Sequence, residues 1–170
     1  SITSGGQQNT TFGYNAGTNI TTGDGNTCIG HDALQQGGGT SSNITAIGRS
    51  AVSLAGTATA TTAVGAYALR YSTGDDCTAL GSYCGMSITS GASNTFVGRS
   101  VAWQATSAAN NTLVGARVAN DLTSGSGNTF VGKTSGSNVT TGSNNICIGK
   151  DATASAATVS NEITLGDSNI

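Results

Sequence analysis

Proline is absent from these 170 residues, charged side chains make up 8% and aromatic ones 5%, while glycine occurs 26 times. That is not the balance of an ordinary globular domain, and long Ser/Thr/Asn/Gly tracts often mark disordered linkers. The formal charge is −2 and there is no basic tail, so the electrostatic footprint of a DNA- or RNA-binding protein is missing. No apolar run approaches the roughly 18 residues of a membrane-spanning helix, and no signal peptide is visible. The four cysteines lack the short paired spacings of a zinc site. No Asp recurs at the fixed phase of a calcium-binding repeat, and no cofactor or metal is expected. The single histidine, His31, has no catalytic signature around it.

What is there is a phrase said about ten times. Asn128-Thr129-Phe130-Val131-Gly132 recurs as Asn94-Thr95-Phe96-Val97-Gly98, Asn111-Thr112-Leu113-Val114-Gly115 and Asn26-Thr27-Cys28-Ile29-Gly30, and more loosely elsewhere. The closing glycines are Gly13, Gly30, Gly48, Gly65, Gly81, Gly98, Gly115, Gly132, Gly149 and Gly166, spaced by 17, 18, 17, 16 and then five times 17 residues. Disordered chains do not keep such a phase. Stacked architectures do, because each unit buries its apolar face only against its neighbours. The expected fold is an all-β parallel β-solenoid, a β-roll or β-helix of ten 17-residue rungs over residues 1–170, as one repeat domain. The chain starts in mid-repeat without Met, so a piece of a longer fibre is expected.

With each glycine as position 0, position −1 reads Phe12, Ile29, Ile47, Val64, Leu80, Val97, Val114, Val131, Ile148 and Leu165. This β-branched column predicts a strand and, read alone, a core column. Position −3 is Thr in eight of ten rungs, and −4 is Asn in six, which predicts a ladder of side-chain amides up the stack. The invariant glycine predicts a sharp bend or a backbone contact that a Cβ would block. Position +3 (Ala16, Ala33, Ala51, Ala68, Cys84, Val101, Val118, Ser135, Ala152) predicts a second inward column, and Ile20, Tyr71, Ile88, Leu122 and Val139 at −10 belong to a further repeated element. Two or three short strands per rung are expected. The 18-residue spacing is assigned to a one-residue bulge at Gly37-Gly38-Gly39, and the rungs ending at Gly48 and Gly65 are the loosest.

Position −2 bears on assembly. It reads Thr11, Cys28, Ala46, Ala63, Ala79, Phe96, Leu113, Phe130, Cys147 and Thr164. If −1 points into the coil, −2 points out, because successive strand residues face opposite ways. An outward apolar ridge is something soluble monomers avoid, and copies of the same chain would cover it. The predicted interface of a homotrimer is therefore Cys28, Ala46, Ala63, Ala79, Phe96, Leu113, Phe130 and Cys147. The same pattern is compatible with a dimer.

The phrase Asn-Thr-x-Val-Gly-x-x-Ala, followed by Thr-Thr-Gly-x-x-Asn, resembles the glycine-rich repeats of bacteriophage tail fibres. It is similar, more distantly, to the head repeats of trimeric autotransporter adhesins. Asn161-Glu162-Ile163-Thr164-Leu165-Gly166-Asp167 looks like the segment that often precedes a C-terminal intramolecular chaperone in such fibres. The resemblance implies a homotrimeric solenoid on a virion tail, or alternatively a bacterial cell surface. Such a segment would act as a rigid shaft joined to other fibre domains, or bind host surface glycans. No catalysis, nucleic-acid binding or membrane insertion is expected.

Candidate contact residues come from the columns after the glycine. Position +1 holds His31, Arg49, Arg99, Lys133 and Lys150, a basic stripe that must face water and would suit an anionic polysaccharide, or simply keep the rod soluble. Tyr67 and Tyr83, both at +2, would offer a sugar platform or pack on each other. A glycan hydrolase needs two carboxylates about 5–9.5 Å apart. The eight here (Asp24, Asp32, Asp75, Asp76, Asp121, Asp151, Glu162, Asp167) share no column in adjacent rungs, and Asp75-Asp76 read as turn residues. The cysteines read as small buried hydrophobes, and free thiols fit assembly in a reducing cytoplasm. Ranks of Thr at −3 also raise ice binding, although with −3 sharing the parity of −1 the hydroxyls are expected to point inward or to a corner.

Overall fold

A computed structural model describes residues 6–36, 39–54 and 56–169. Each repeat contributes one three-residue strand: β1 Thr10–Phe12, β2 Thr27–Ile29, β3 Thr45–Ile47, β4 Thr62–Val64, β5 Thr78–Leu80, β6 Thr95–Val97, β7 Thr112–Val114, β8 Thr129–Val131, β9 Ile146–Ile148 and β10 Ile163–Leu165. The strands form a single parallel sheet in chain order, each paired in register with the next, so Thr95 lies beside Thr112 and Val97 beside Val114. The chain is a parallel β-solenoid of ten strands, about 43 Å long at the usual spacing of about 4.8 Å. No helix among the described residues is long and apolar enough to cross a membrane. Gly37 and Gly38, to which the bulge was assigned, lie outside the described residues.

The other sides of each rung are turns rather than strands, which corrects the expectation of two or three strands per rung. Their backbone is left-handed at fixed positions: all nine residues at +2 from Asn15 to Asp151 have φ between 53° and 61°. Position +4 is left-handed too in every rung from Gly17 to Gly136, even at Leu34, Val52 and Leu69, with Thr153 the exception. These turns still bond along the stack. The Arg117 N–H donates to the Arg99 carbonyl at 3.0 Å, and the Ala102 N–H to the Val118 carbonyl at 3.0 Å. At position 0, Gly98 has φ +130°, and a Cβ there would lie 1.8 Å from the carbonyl oxygen of Gly115 one rung away. Both the bend and the close contact therefore require glycine.

Inside the coil the Asn column forms the expected ladder. Asn94, Asn111, Asn128 and Asn145 are buried. Each side-chain oxygen accepts the backbone N–H four residues before the next glycine, at 2.9–3.0 Å, from Asn111 to Glu162. Each side-chain amide donates to a carbonyl at the facing corner of the next rung: Ala108, Gly125, Gly142 and Val159. The ladder satisfies backbone groups that a glycine-rich turn would leave unpaired in the core. In the looser rungs Ile44 and Thr61 take the Asn position and are buried as well.

The strand register is the reverse of the expected one. Cys28, Ala46, Ala63, Ala79, Phe96, Leu113, Phe130 and Cys147 are fully buried within their own chain, so none of them forms an outward seam. Position −1 faces out: Leu80, Val131 and Ile148 are 40%, 36% and 44% exposed. The physical reason is a size exchange across the interior. Where −2 is Ala (Ala46, Ala63, Ala79), the preceding +4 residue is Leu34, Val52 or Leu69; where −2 is Phe96, it is Gly85. A Cβ on Gly85 would lie 2.8 Å from both the Phe96 ring and Leu69. In these four rungs the size change at −2 is thus offset inside the coil, as close packing requires. The +3 column is inward as expected, as are Ile20, Ile88, Leu122 and Val139, but Tyr71 turns outward and Ser72 takes its place.

Candidate polysaccharide-contact face

The chain leaves each strand through the position-0 glycine, and the left-handed +2 residue then turns the basic +1 side chains toward solvent, with +2 itself at least partly exposed except at Ser50 and Ser100. His31, Arg49, Arg99, Lys133 and Lys150 are all exposed, as the unpaired cost of burying stacked cations requires. They are not equivalent. His31 Nδ1 sits 2.9 Å from Asp32, and Lys150 Nζ lies 2.8 Å from Asp151. The hydrogen bond and charge of Asp151 raise the Lys150 pKa, while Lys150 and then the Thr134 hydroxyl lower that of Asp151. Among the described residues Arg49 and Arg99 have no carboxylate within ion-pairing distance, while the charge of Lys133 acts on Asp151 at longer range.

The middle of this face holds more than the two columns predicted. Tyr67 and Tyr83 stack on each other with centroids 5.1 Å apart and planes 19° apart. They pack ring on ring, the plainer of their two expected roles. Trp103 extends the column: its centroid is 5.3 Å from Tyr83 at a tilt of 43°. Arg49 and Arg70 lie 5.4 and 5.3 Å from the Tyr67 ring, and Arg70 is also 5.3 Å from Tyr71. Arg99 and Arg117 line one cavity with Trp103, so four of the chain's six Lys/Arg residues lie along this part of the face. Cation–aromatic contacts of this kind hold the Arg49 and Arg70 guanidiniums against the rings.

Position +2 is aromatic in two rungs and then becomes Ser100, which is small and buried. The row of side chains breaks there, leaving a cavity of about 440 Å³ lined by Arg99, Ser100, Trp103, Gln104, Arg117 and Asn120. Neither Trp103 nor Arg117 was among the predicted contact residues. Trp103 stands at +5, and only the stacking of rungs brings it beside Tyr83. A second cavity, of about 510 Å³, lies at the end of the stack between Asp151, Thr153 and the β10 turn.

The remaining chemistry is structural. All four cysteines are free and buried, and burial pushes Cys28 to about 11 and Cys84 to about 12. Glu162 accepts from the Ser155 hydroxyl and N–H and from the Thr164 hydroxyl, and those bonds lower its pKa. Among the described residues no three His, Cys, Asp or Glu side chains gather as a metal site. No family model, curated protein or solved structure matches the chain.

Proposed function

We propose that the chain is a structural, receptor-facing segment of a bacteriophage tail fibre on the virion, a rigid homotrimeric shaft whose basic aromatic face contacts host surface polysaccharide. The observation that carries the association is the outward −1 column. Ten apolar side chains in line, flanked by Thr at −3, lie on the outer face of one sheet, five of them exposed and five partly exposed. At about 60 Å² each they sum to on the order of 600 Å², the upper end of what a monomer's largest apolar patch shows. With the Thr rank the face approaches the roughly 800 Å² per partner of a stable interface. Burying each half-exposed aliphatic stabilises the assembly by about 1.5 kcal/mol. Every copy presents the same ridge, so a symmetry axis covers all of them at once, and three is the number the fibre resemblance implies.

The seam thus moves from −2 to −1 while the reason for it stays the same. Lysines replacing Val97 and Val131 together should give monomers that melt close to the parent fold, whereas Arg99→Ala should leave the assembly intact. Assembly unchanged by the two lysines would remove this reading. A bacterial adhesin head is the alternative on the same geometry, and a coiled-coil stalk and membrane anchor in the full gene would favour it.

One observation favours a further alternative. Thr at −3 faces outward in eight consecutive rungs, which overturns the parity argument against ice binding. The −1 partners, however, range from Val to Phe and Leu, so the face is ridged rather than flat. Self-association accommodates that relief and an ice plane does not. Thermal hysteresis in the monomeric lysine variant's parent, absent in buffer controls, would reverse this ranking.

A further inference from the structure

We propose that the cavity beside Trp103 is a subsite for one acidic sugar unit of a polysaccharide, its carboxylate held by Arg99 and Arg117 and its ring seated against the indole. This deepens the polysaccharide-contact reading above and rests on it. Three features of the same gap point to this ligand class. The aromatic column ends there: Tyr83 of the preceding rung covers one side of Trp103, and the cavity opens toward the next rung, lined by Arg117 and Asn120. Tyr67 and Tyr83 spend their facing surfaces on each other, so Trp103 is the ring that offers a surface to a ligand.

The second feature is charge. Arg99 and Arg117 flank the gap from adjacent rungs and neither has a carboxylate partner among the described residues. Two planar guanidiniums next to one cavity match a carboxylate, which accepts paired N–H donors. The acid nearest in sequence, Asp121, is already engaged, accepting from Gln104 Nε2 at 3.0 Å and Asn120 Nδ2 at 3.1 Å. That engagement supplies the third feature. Gln104 and Asn120 each donate one N–H to Asp121 and line the cavity, and each keeps an amide oxygen able to accept from a sugar hydroxyl. A volume of about 440 Å³ is within the range of small-ligand sites and admits a single pyranose.

Trp103 is the chain's one tryptophan, so its emission reports on the cavity directly. Oligogalacturonate should change that emission saturably at physiological salt, while neutral galactan oligosaccharide of the same length should not. Arg99→Gln should weaken oligogalacturonate binding at least about tenfold, the loss of one charged hydrogen-bonding group. Arg117→Asn should do the same, since Asn tolerates the left-handed backbone at that position. Unchanged melting curves and assembly mass keep both variants interpretable. Inorganic phosphate or sulfate producing the same response at equal concentration would overturn the sugar assignment, as would equal binding of the neutral oligosaccharide. No response to any probe in protein of assembled mass would overturn the subsite and leave the fibre reading standing. Failure of that reading would show instead as monomeric mass, whatever the fluorescence does.

Discussion

Replacing Asn111 by Ala removes one link of the internal amide ladder and leaves its neighbours buried. The Asn111 oxygen accepts from the Asn128 N–H at 2.9 Å and from the Asn128 side chain at 3.1 Å. Its amide donates to the Gly125 carbonyl at 3.0 Å, as well as to Ala109 and to the Asn94 side chain. In the variant the Asn128 N–H and the Gly125 carbonyl lose these partners in the core, where no water reaches them. An unsatisfied buried group costs about 1–3 kcal/mol, so two cost about 4 kcal/mol. For a chain of this size that lowers the melting temperature by about 8–16 °C. Asn19, which is exposed, is the control, and Asn19→Ala should change stability by less than about 0.5 kcal/mol. Circular dichroism melting of the two variants side by side decides it. An Asn111→Ala protein melting within about 2 °C of the parent would refute the ladder as a source of stability.

Gly98→Val should destabilise by more than about 3 kcal/mol, because a Cβ there meets the Gly115 carbonyl as well as an unfavourable φ; equal melting would remove the close-approach argument. Ala79→Phe should cost about 1–3 kcal/mol by overpacking, and Leu69→Gly in the same chain should recover part of that loss. Additive losses in the double variant would contradict the size exchange between −2 and +4. Because the folded pKa of Glu162 lies below its ordinary 4.5, its hydrogen bonds stabilise the fold fully above that pH. This contribution is lost as pH falls through the lowered value, so Glu162→Gln should flatten the acid-side decline in melting temperature. A decline of the same slope in the variant would place the acid sensitivity elsewhere.

The periodic features of this chain were legible because stacking repeats their causes. An invariant glycine, a run of Asn at −4 and small residues at +3 each point to a direct physical cause, and the structure bears those three readings out. The parity of the strand was not legible from −1 and −2 separately, since both columns are apolar. Hydrophobicity assigns a residue to a buried face but cannot choose between two apolar faces. The deciding signal was the inverse size relation between Ala46, Ala63, Ala79 or Phe96 and the residue twelve or eleven or ten positions earlier (Leu34, Val52, Leu69, Gly85). Left-handed geometry at Val52 and Leu69 has no local sequence cue, because β-branched and bulky residues ordinarily avoid it. In the candidate contact face, reading +1 and +2 as columns picks out Arg49, Tyr67, Tyr83 and Arg99. Trp103 and Arg117 joined them through neighbouring rungs, a relation that becomes visible once the rise and the turn geometry are known.

The ridge at −1 is the feature on which the fibre reading depends. Light scattering on the wild-type chain at micromolar concentration measures its consequence directly. Three chains of 16.6 kDa should give a stable mass of about 50 kDa. A monomer of 16.6 kDa across that range would leave ten outward apolar side chains uncovered and contradict the account.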